Sequence, residues 1–153
     1  MAKGKSKENQ DAVQFLKAEH RQVKKAFEKY QNLGSRAFAS KKKLADEICQ
    51  DLLLHTQVEE EIFYPAFRQA VKDAKAMADE AKVEHDVAKE LINQIQSMES
   101  EDELFDAKVK VLSEYINHHV KEEEEEMFPA IRDTGVDVQS LGERMQTRKE
   151  ELS

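Results

Sequence analysis

Apolar residues recur along this chain at spacings of three and four, the period of one face of an α-helix. From about Gln10 to Leu33 they are Val13, Leu16, Val23, Phe27 and Tyr30. The gap of seven lacks one seam position, and His20 fills it. Gly34-Ser35 supplies a stop, since glycine accepts the left-handed backbone that ends helices. A second helix is predicted from Ser40, a candidate N-cap, with a seam of Leu44, Ile48, Leu52, His55, Glu59, Ile62 and Ala66. Pro65 should kink or end it, because proline lacks an amide proton and crowds the preceding turn. After a connection at Val71 to Asp73, a third helix from roughly Ala74 to Met98 carries Ala81, His85, Ala88, Ile92 and Ile95 on one face. Ser100-Glu101-Asp102-Glu103 reads as a capping box for a fourth, whose inner face is Leu112, Ile116, His119 and Glu123, with Pro129 near its end. The break Asp133-Thr134-Gly135 leads to a short charged segment with Val138, Leu141 and Met145 at helical spacing.

Long helices joined by short connections predict an all-α fold: an antiparallel up-down-up-down four-helix bundle with a short C-terminal helix. Residues 1–9 read as a flexible basic N-terminus, 10–132 as the bundle and 133–153 as an extension. A chain of 153 residues has room for one core.

Two stretches repeat each other. His55-Thr56-Gln57-Val58-Glu59 and His119-Val120-Lys121-Glu122-Glu123 each place a carboxylate one helical turn after an imidazole, and each reaches a proline ten residues past the histidine. His20 lies 35 residues before His55 and His85 lies 34 before His119, so the halves are offset by 65 and 64. At a rise of about 1.5 Å per residue, antiparallel packing brings all four histidines to one level. Four imidazoles and two carboxylates then converge in one core.

Buried carboxylates without partners cost several kcal/mol each. Imidazolium could compensate them, but four histidines around two glutamates would leave excess positive charge. Two multivalent cations do so better, with one neutral nitrogen from each imidazole and two bridging oxygens from each carboxylate. Nitrogen and oxygen donors without thiolate suit iron, manganese or zinc. Glu60, Glu61 and the other glutamates of the Glu122–Glu126 run read as a solvated face. His118 and Glu122 offer a competing register, which the repeat disfavours; His118 is then a fifth ligand, an exposed residue or a neighbour of the ligands. Tyr115, one turn before His119, is a candidate hydrogen-bond donor to a metal-bound ligand, or simple packing. Phe27, Leu52 and Phe63 read as hydrophobic wall.

The order His20, His55-x-x-x-Glu59, His85, His119-x-x-x-Glu123 resembles the hemerythrin-like family of HHE cation-binding domains, over about residues 10 to 132. The resemblance implies a di-iron centre, oxo- or hydroxo-bridged, with one iron on His20 and His55, the other on His85 and His119, and Glu59 and Glu123 bridging both. Oxygen-carrying members have a second histidine one turn from the third-helix ligand and an aspartate in the last motif. Here those positions are Ala81 or Lys89, and Glu123. Two histidines per metal leave open positions, and reversible oxygen carriage does not follow. Ferritin-like enzymes use Glu-x-x-His motifs, which no histidine here fits.

The expected function is a non-haem di-iron protein that binds or reacts with oxygen, peroxide or nitric oxide in sensing, storage or detoxification. The alternative is a metal- or redox-dependent interaction module, with a protein partner or a second copy of the chain. No nucleophile or phosphate loop is legible, so enzymatic turnover is left open. A net charge of -8 argues against nucleic acid or an anionic membrane as partner. No stretch has the roughly 18 to 20 apolar residues of a membrane span, and the basic start lacks the apolar run of a secretory signal. The single Cys49 permits a reducing compartment and reads as a packing thiol. The expected location is the cytoplasm.

Overall fold

The computed structural model describes residues 10–153, so the expectation of a flexible N-terminus at residues 1–9 lies outside the described residues. The chain forms α1 (Ala12–Gln31), α2 (Phe38–Val58), a π-helical turn π1 (Glu59–Phe63), α3 (Tyr64–Ala70), α4 (Lys75–Ser97), α5 (Phe105–Glu122), a second π turn π2 (Glu123–Met127), α6 (Phe128–Asp133) and α7 (Val138–Leu152). Helix α2, π1 and α3 make one continuous rod, as do α5, π2 and α6. With α1 and α4 they close into the four-helix bundle: α1 packs on α2, α2 on α4, α4 on α5, and α5 back on α1. Helix α7 lies across α1 and α2 as the short C-terminal helix.

The prolines neither end nor break their rods. In each π turn one extra residue is accommodated, and the amides of Tyr64 and Phe128 bond five residues back, to the carbonyls of Glu59 and Glu123. Pro65 and Pro129 then open a new α-helical segment, where a missing amide costs nothing.

Three helix-end expectations are corrected. Helix α2 begins at Phe38, with no side-chain cap, because its buried seam already starts at Lys41 and needs a turn before it. Ser40 therefore lies inside the first turn. Ser100 does not cap α5, which begins five residues later; its hydroxyl donates to the carbonyl of Phe38 at 2.6 Å and ties two ends of the bundle together. Gly34 is not in the left-handed region, and α1 has already closed at Asn32. Gly135 is left-handed, at φ 75°, where α6 gives way to α7.

The core falls into two apolar clusters. One contains Leu16, Phe63, Phe67, Phe128 and Met145. The other contains Phe27, Leu52, Ile92, Phe105 and Leu112. Phe27, Leu52 and Phe63 are thus wall, as expected. Cys49 is buried in the second cluster, and burial pushes its thiol up to about 12, which keeps it unreactive. No helix among the described residues is long and apolar enough to cross a membrane. Between the two clusters lies a polar layer.

Candidate metal centre

All six side chains singled out from the sequence are buried and meet in that layer. Mid-helix positions deliver His20 from α1 and His85 from α4, while His55 and His119 sit in the last turns of α2 and α5. Glu59 and Glu123 are the first residues of the two π turns, 0% and 1% exposed. The π turns, at the same place in both halves, begin at the two carboxylates that the centre shares.

Two groups of four donors result. His20, His55, Glu59 and Glu123 offer one set of ligand atoms within 4.8 Å of one another; Glu59, His85, His119 and Glu123 offer the other. Both carboxylates belong to both groups. Glu59 lies 3.3 Å from Nε2 of His55 and 3.0 Å from that of His85, and Glu123 lies 3.1 Å from His20 and 3.3 Å from His119. Each carboxylate therefore spans from one histidine pair to the other. Donors on opposite sides of a single ion are separated by about 4 Å, twice a bond of about 2.0–2.2 Å, so the spacing fits.

The imidazoles are oriented from behind. Nδ1 of His20 is 2.7 Å from Glu124, that of His55 is 2.7 Å from Glu19, that of His85 is 2.7 Å from Glu60, and that of His119 is 2.6 Å from Glu84. A carboxylate that accepts from Nδ1–H fixes the tautomer in which Nε2 presents its lone pair inward, as metal-ligating histidines require. Glu60 and Glu124 are therefore not the solvated face expected of them, whereas Glu125 and Glu126 are exposed. The signal was present in the repeat: Glu19 and Glu84 each precede a histidine, and Glu60 and Glu124 each follow a shared glutamate. Replacing Glu60 by Ala is expected to weaken metal affinity by about 10- to 100-fold, read by competition against a chelator. Unchanged affinity would show that this outer bond does nothing for His85.

These outer groups also change the charge argument, for six carboxylates face four imidazoles, and protonated histidines alone do not exceed them. Burial works against charge on His119, yet Glu123 and Glu59 outweigh it and carry its pKa up to about 10. Burial likewise opposes the charge of Glu123, and His119 and His20 hold it well below the usual carboxylate range. Glu60, despite burial, is held at about 2 by His85 and Lys89. Lys89 and Lys149 pair with two of the outer carboxylates, so it is the inner face of the layer that has polar atoms to spare. Nε2 of His20, Oε2 of Glu59 and Oε1 of Glu123 are buried and make no hydrogen bond, the 3.1 Å approach of His20 to Glu123 being misaligned. Three inward-facing donors without partners suit a cation.

Sequence reasoning missed Tyr64. Its hydroxyl donates to Glu123 at 2.8 Å, and lies 3.2 Å from Glu59 and 3.0 and 3.2 Å from Nε2 of His85 and His119. The residue at the matching place in the other half, 64 positions on, is Phe128, stacked on His20 at 5.9 Å. Among the described residues Tyr115 has no hydrogen-bond partner; it borders a small apolar cleft that opens on the four histidines between Val23, Leu52, Ala88 and Ile116. His118 is 63% exposed and belongs to neither buried group. Of the places one turn from His85, Ala81 is buried and Lys89 turns away to Glu60, so no fifth imidazole enters.

Residues 11–131 match the model of the hemerythrin HHE cation binding domain. An uncharacterized hemerythrin-like protein of Schizosaccharomyces pombe is 28% identical over 102 residues, 65% of this chain and 50% of that protein. A protein of Nostoc sp. described as a DNA nickase is 26% identical over 132 residues, 86% of this chain and 36% of its own length. The chain thus spans half or less of these two curated relatives. A crystal structure of a hemerythrin HHE cation binding domain-containing protein from Mycobacterium kansasii superposes with a TM-score of 0.79 at 22% identity, covering 93% of this chain and 86% of that one.

Proposed function

Because this chain belongs to the hemerythrin HHE cation binding domain family, we propose that its buried layer holds two metal ions, iron foremost, as a centre that binds or reacts with oxygen, peroxide or nitric oxide. The observation that carries this reading is the pair of four-donor groups sharing Glu59 and Glu123. His20 and His55 would hold one ion, His85 and His119 the other, and the two carboxylates would bridge them. Manganese or zinc would suit the same donors, but redox chemistry with a diatomic or peroxide calls for iron or manganese. Bound there, such ions supply electrons and open coordination positions.

The chain's own residues supply the rest. Glu19, Glu60, Glu84 and Glu124 hold the imidazoles in orientation. The apolar cleft beside the histidines has a volume of about 20 Å³, space for roughly one water-sized molecule. Its walls favour a small uncharged ligand over an ion. Tyr64 holds a proton against Glu123, since burial and then the nearby Glu123 and Glu59 charges push the phenol well above its ordinary range. Residues 10–132 form the unit that does this, with 133–153 packed on it, in sensing, storage or detoxification. The buried lone thiol of Cys49 accords with a cytoplasmic setting.

Anaerobic iron-loaded protein should change its optical spectrum rapidly on exposure to oxygen, peroxide or nitric oxide, with its helical circular dichroism unchanged. Metal-dependent melting with no response to any of the three would instead support an interaction module that reports metal occupancy to a protein partner or a second copy.

A further inference from the structure

A cavity of about 420 Å³ opens between the last turns of α1 and the first turns of α5, with Lys41 of α2 on its wall. That volume lies within the range of about 300–1,000 Å³ typical of small-molecule sites. Lys41 lies 14 residues before His55, and Asp106 lies 13 before His119. At about 1.5 Å per residue, both stand roughly 20 Å along their rods from the histidine layer. Binding here would ask nothing of that layer.

The lining has an apolar and a charged part. Phe27, Tyr30 and Val109, buried members of the second apolar cluster, present ring and methyl surface. Beside them stands the Lys41 side chain, only 7% exposed. Its Nζ donates to Asp106 at 3.1 Å, and Asp106 also accepts from the Tyr30 hydroxyl at 2.6 Å. Tyr30 and then Lys41 outweigh burial and hold Asp106 below the usual carboxylate range, so that its carboxylate stays ionised.

An ammonium has three protons to donate, and a buried donor left without an acceptor is costly. Among the described residues Lys41 has no acceptor besides Asp106. Ser113, buried on the same wall, has no side-chain hydrogen-bond partner among them. Exposed Lys110 also lines the cavity and has no ion-pair partner among them. The cavity thus holds spare donors, and its two lysines exceed its one carboxylate by a single charge.

We propose that this cavity binds a small organic acid, whose carboxylate accepts from Lys41, Ser113 and Lys110 while its hydrocarbon body lies on Phe27, Tyr30 and Val109. A monoanion matches the one excess positive charge, which a phosphate dianion would overshoot. Asp106, held by Tyr30, fixes Lys41 in place and leaves its other protons for the ligand.

The test is isothermal titration calorimetry of the full-length chain with octanoate, and with octanol and octylammonium, which keep the body and change the head. Octanoate is expected to bind at least tenfold tighter than either. Lys41→Met keeps the length of the side chain without its ammonium and should weaken octanoate by about tenfold or more. Lys110→Gln changes an exposed position, should melt like the wild type and should weaken octanoate about threefold. Ser113→Leu fills the cavity and should abolish binding. Absence of octanoate binding, or equal affinity for octanol, would overturn the proposal. So would octanoate affinity unchanged in Lys110→Gln and Ser113→Leu, which decides the matter even if Lys41→Met does not fold.

Discussion

A chain carrying His55→Ala together with His119→Ala is expected to lose nearly all its metal, against two ions per chain, one for each donor group, in the unaltered protein. Each substitution removes one of the two imidazoles that a group contains, so each ion would be left with a single histidine and the shared carboxylates. The damage extends outward, because Glu19 and Glu84 lose the Nδ1–H groups that they accept from. Glu19 keeps its ion pair with Lys149, whereas half-buried Glu84 loses an acceptor role worth about 1–3 kcal/mol, and metal binding must overcome that cost as well. Elemental analysis after anaerobic purification is the measurement, with circular dichroism to establish that the bundle is folded. Full metal content would place the ligands elsewhere.

Gly142→Val is expected to be the most destabilising single substitution outside the polar layer. A Cβ at position 142 would lie 2.5 Å from the carbonyl oxygen of Gln10, 2.6 Å from the backbone carbon of Asp11 and 2.7 Å from the amide nitrogen of Ala12. All three are backbone atoms at the start of α1, so none can swing aside. Helix α7 would have to lift, taking buried Leu141 and Met145 from the core and drawing Lys149 away from Glu19. Glycine inside a helix ordinarily costs about 0.5–1 kcal/mol relative to alanine, so propensity alone would favour its replacement. Overpacking at about 1–3 kcal/mol or more outweighs that. Melting of the metal-free protein should fall by roughly 5–10 °C, at about 2–4 °C per kcal/mol for a chain of this size. Gly34→Ala is the control, since nothing lies within 4 Å of a Cβ there. Equal melting of the two variants would mean that α7 is not seated on α1.

The bundle and its six inner side chains were legible because one pattern served twice. Seams at helical spacing set the rods, and equal offsets between the halves set the level at which His20, His55, His85 and His119 meet. Helix ends were less legible. Ser40 and Ser100 have cap chemistry, but burial of Lys41 and a hydroxyl bond to Phe38 decide where they lie, and both depend on packing across the bundle. Pro65 and Pro129 read locally as breaks, whereas a wider turn absorbs each of them. Glu60 and Glu124 looked like members of a charged run. On a regular helix they would face away from the seam, and nothing in local spacing shows that His85 or His20 reaches them from another rod.

Tyr64 and Phe128 occupy the same place in the two halves and differ by one hydroxyl, the atom that sets the His85–His119 pocket apart from its twin. The asymmetry closest to the inner imidazoles is therefore a single-atom property, carried by a ring that both halves already accommodate. Tuning it asks little of the scaffold: one exchange of phenol for phenyl would make the two pockets alike, and the reverse exchange at Phe128 would give each of them a phenol. Divergence between such proteins can thus run through one position while every imidazole and carboxylate stays in place.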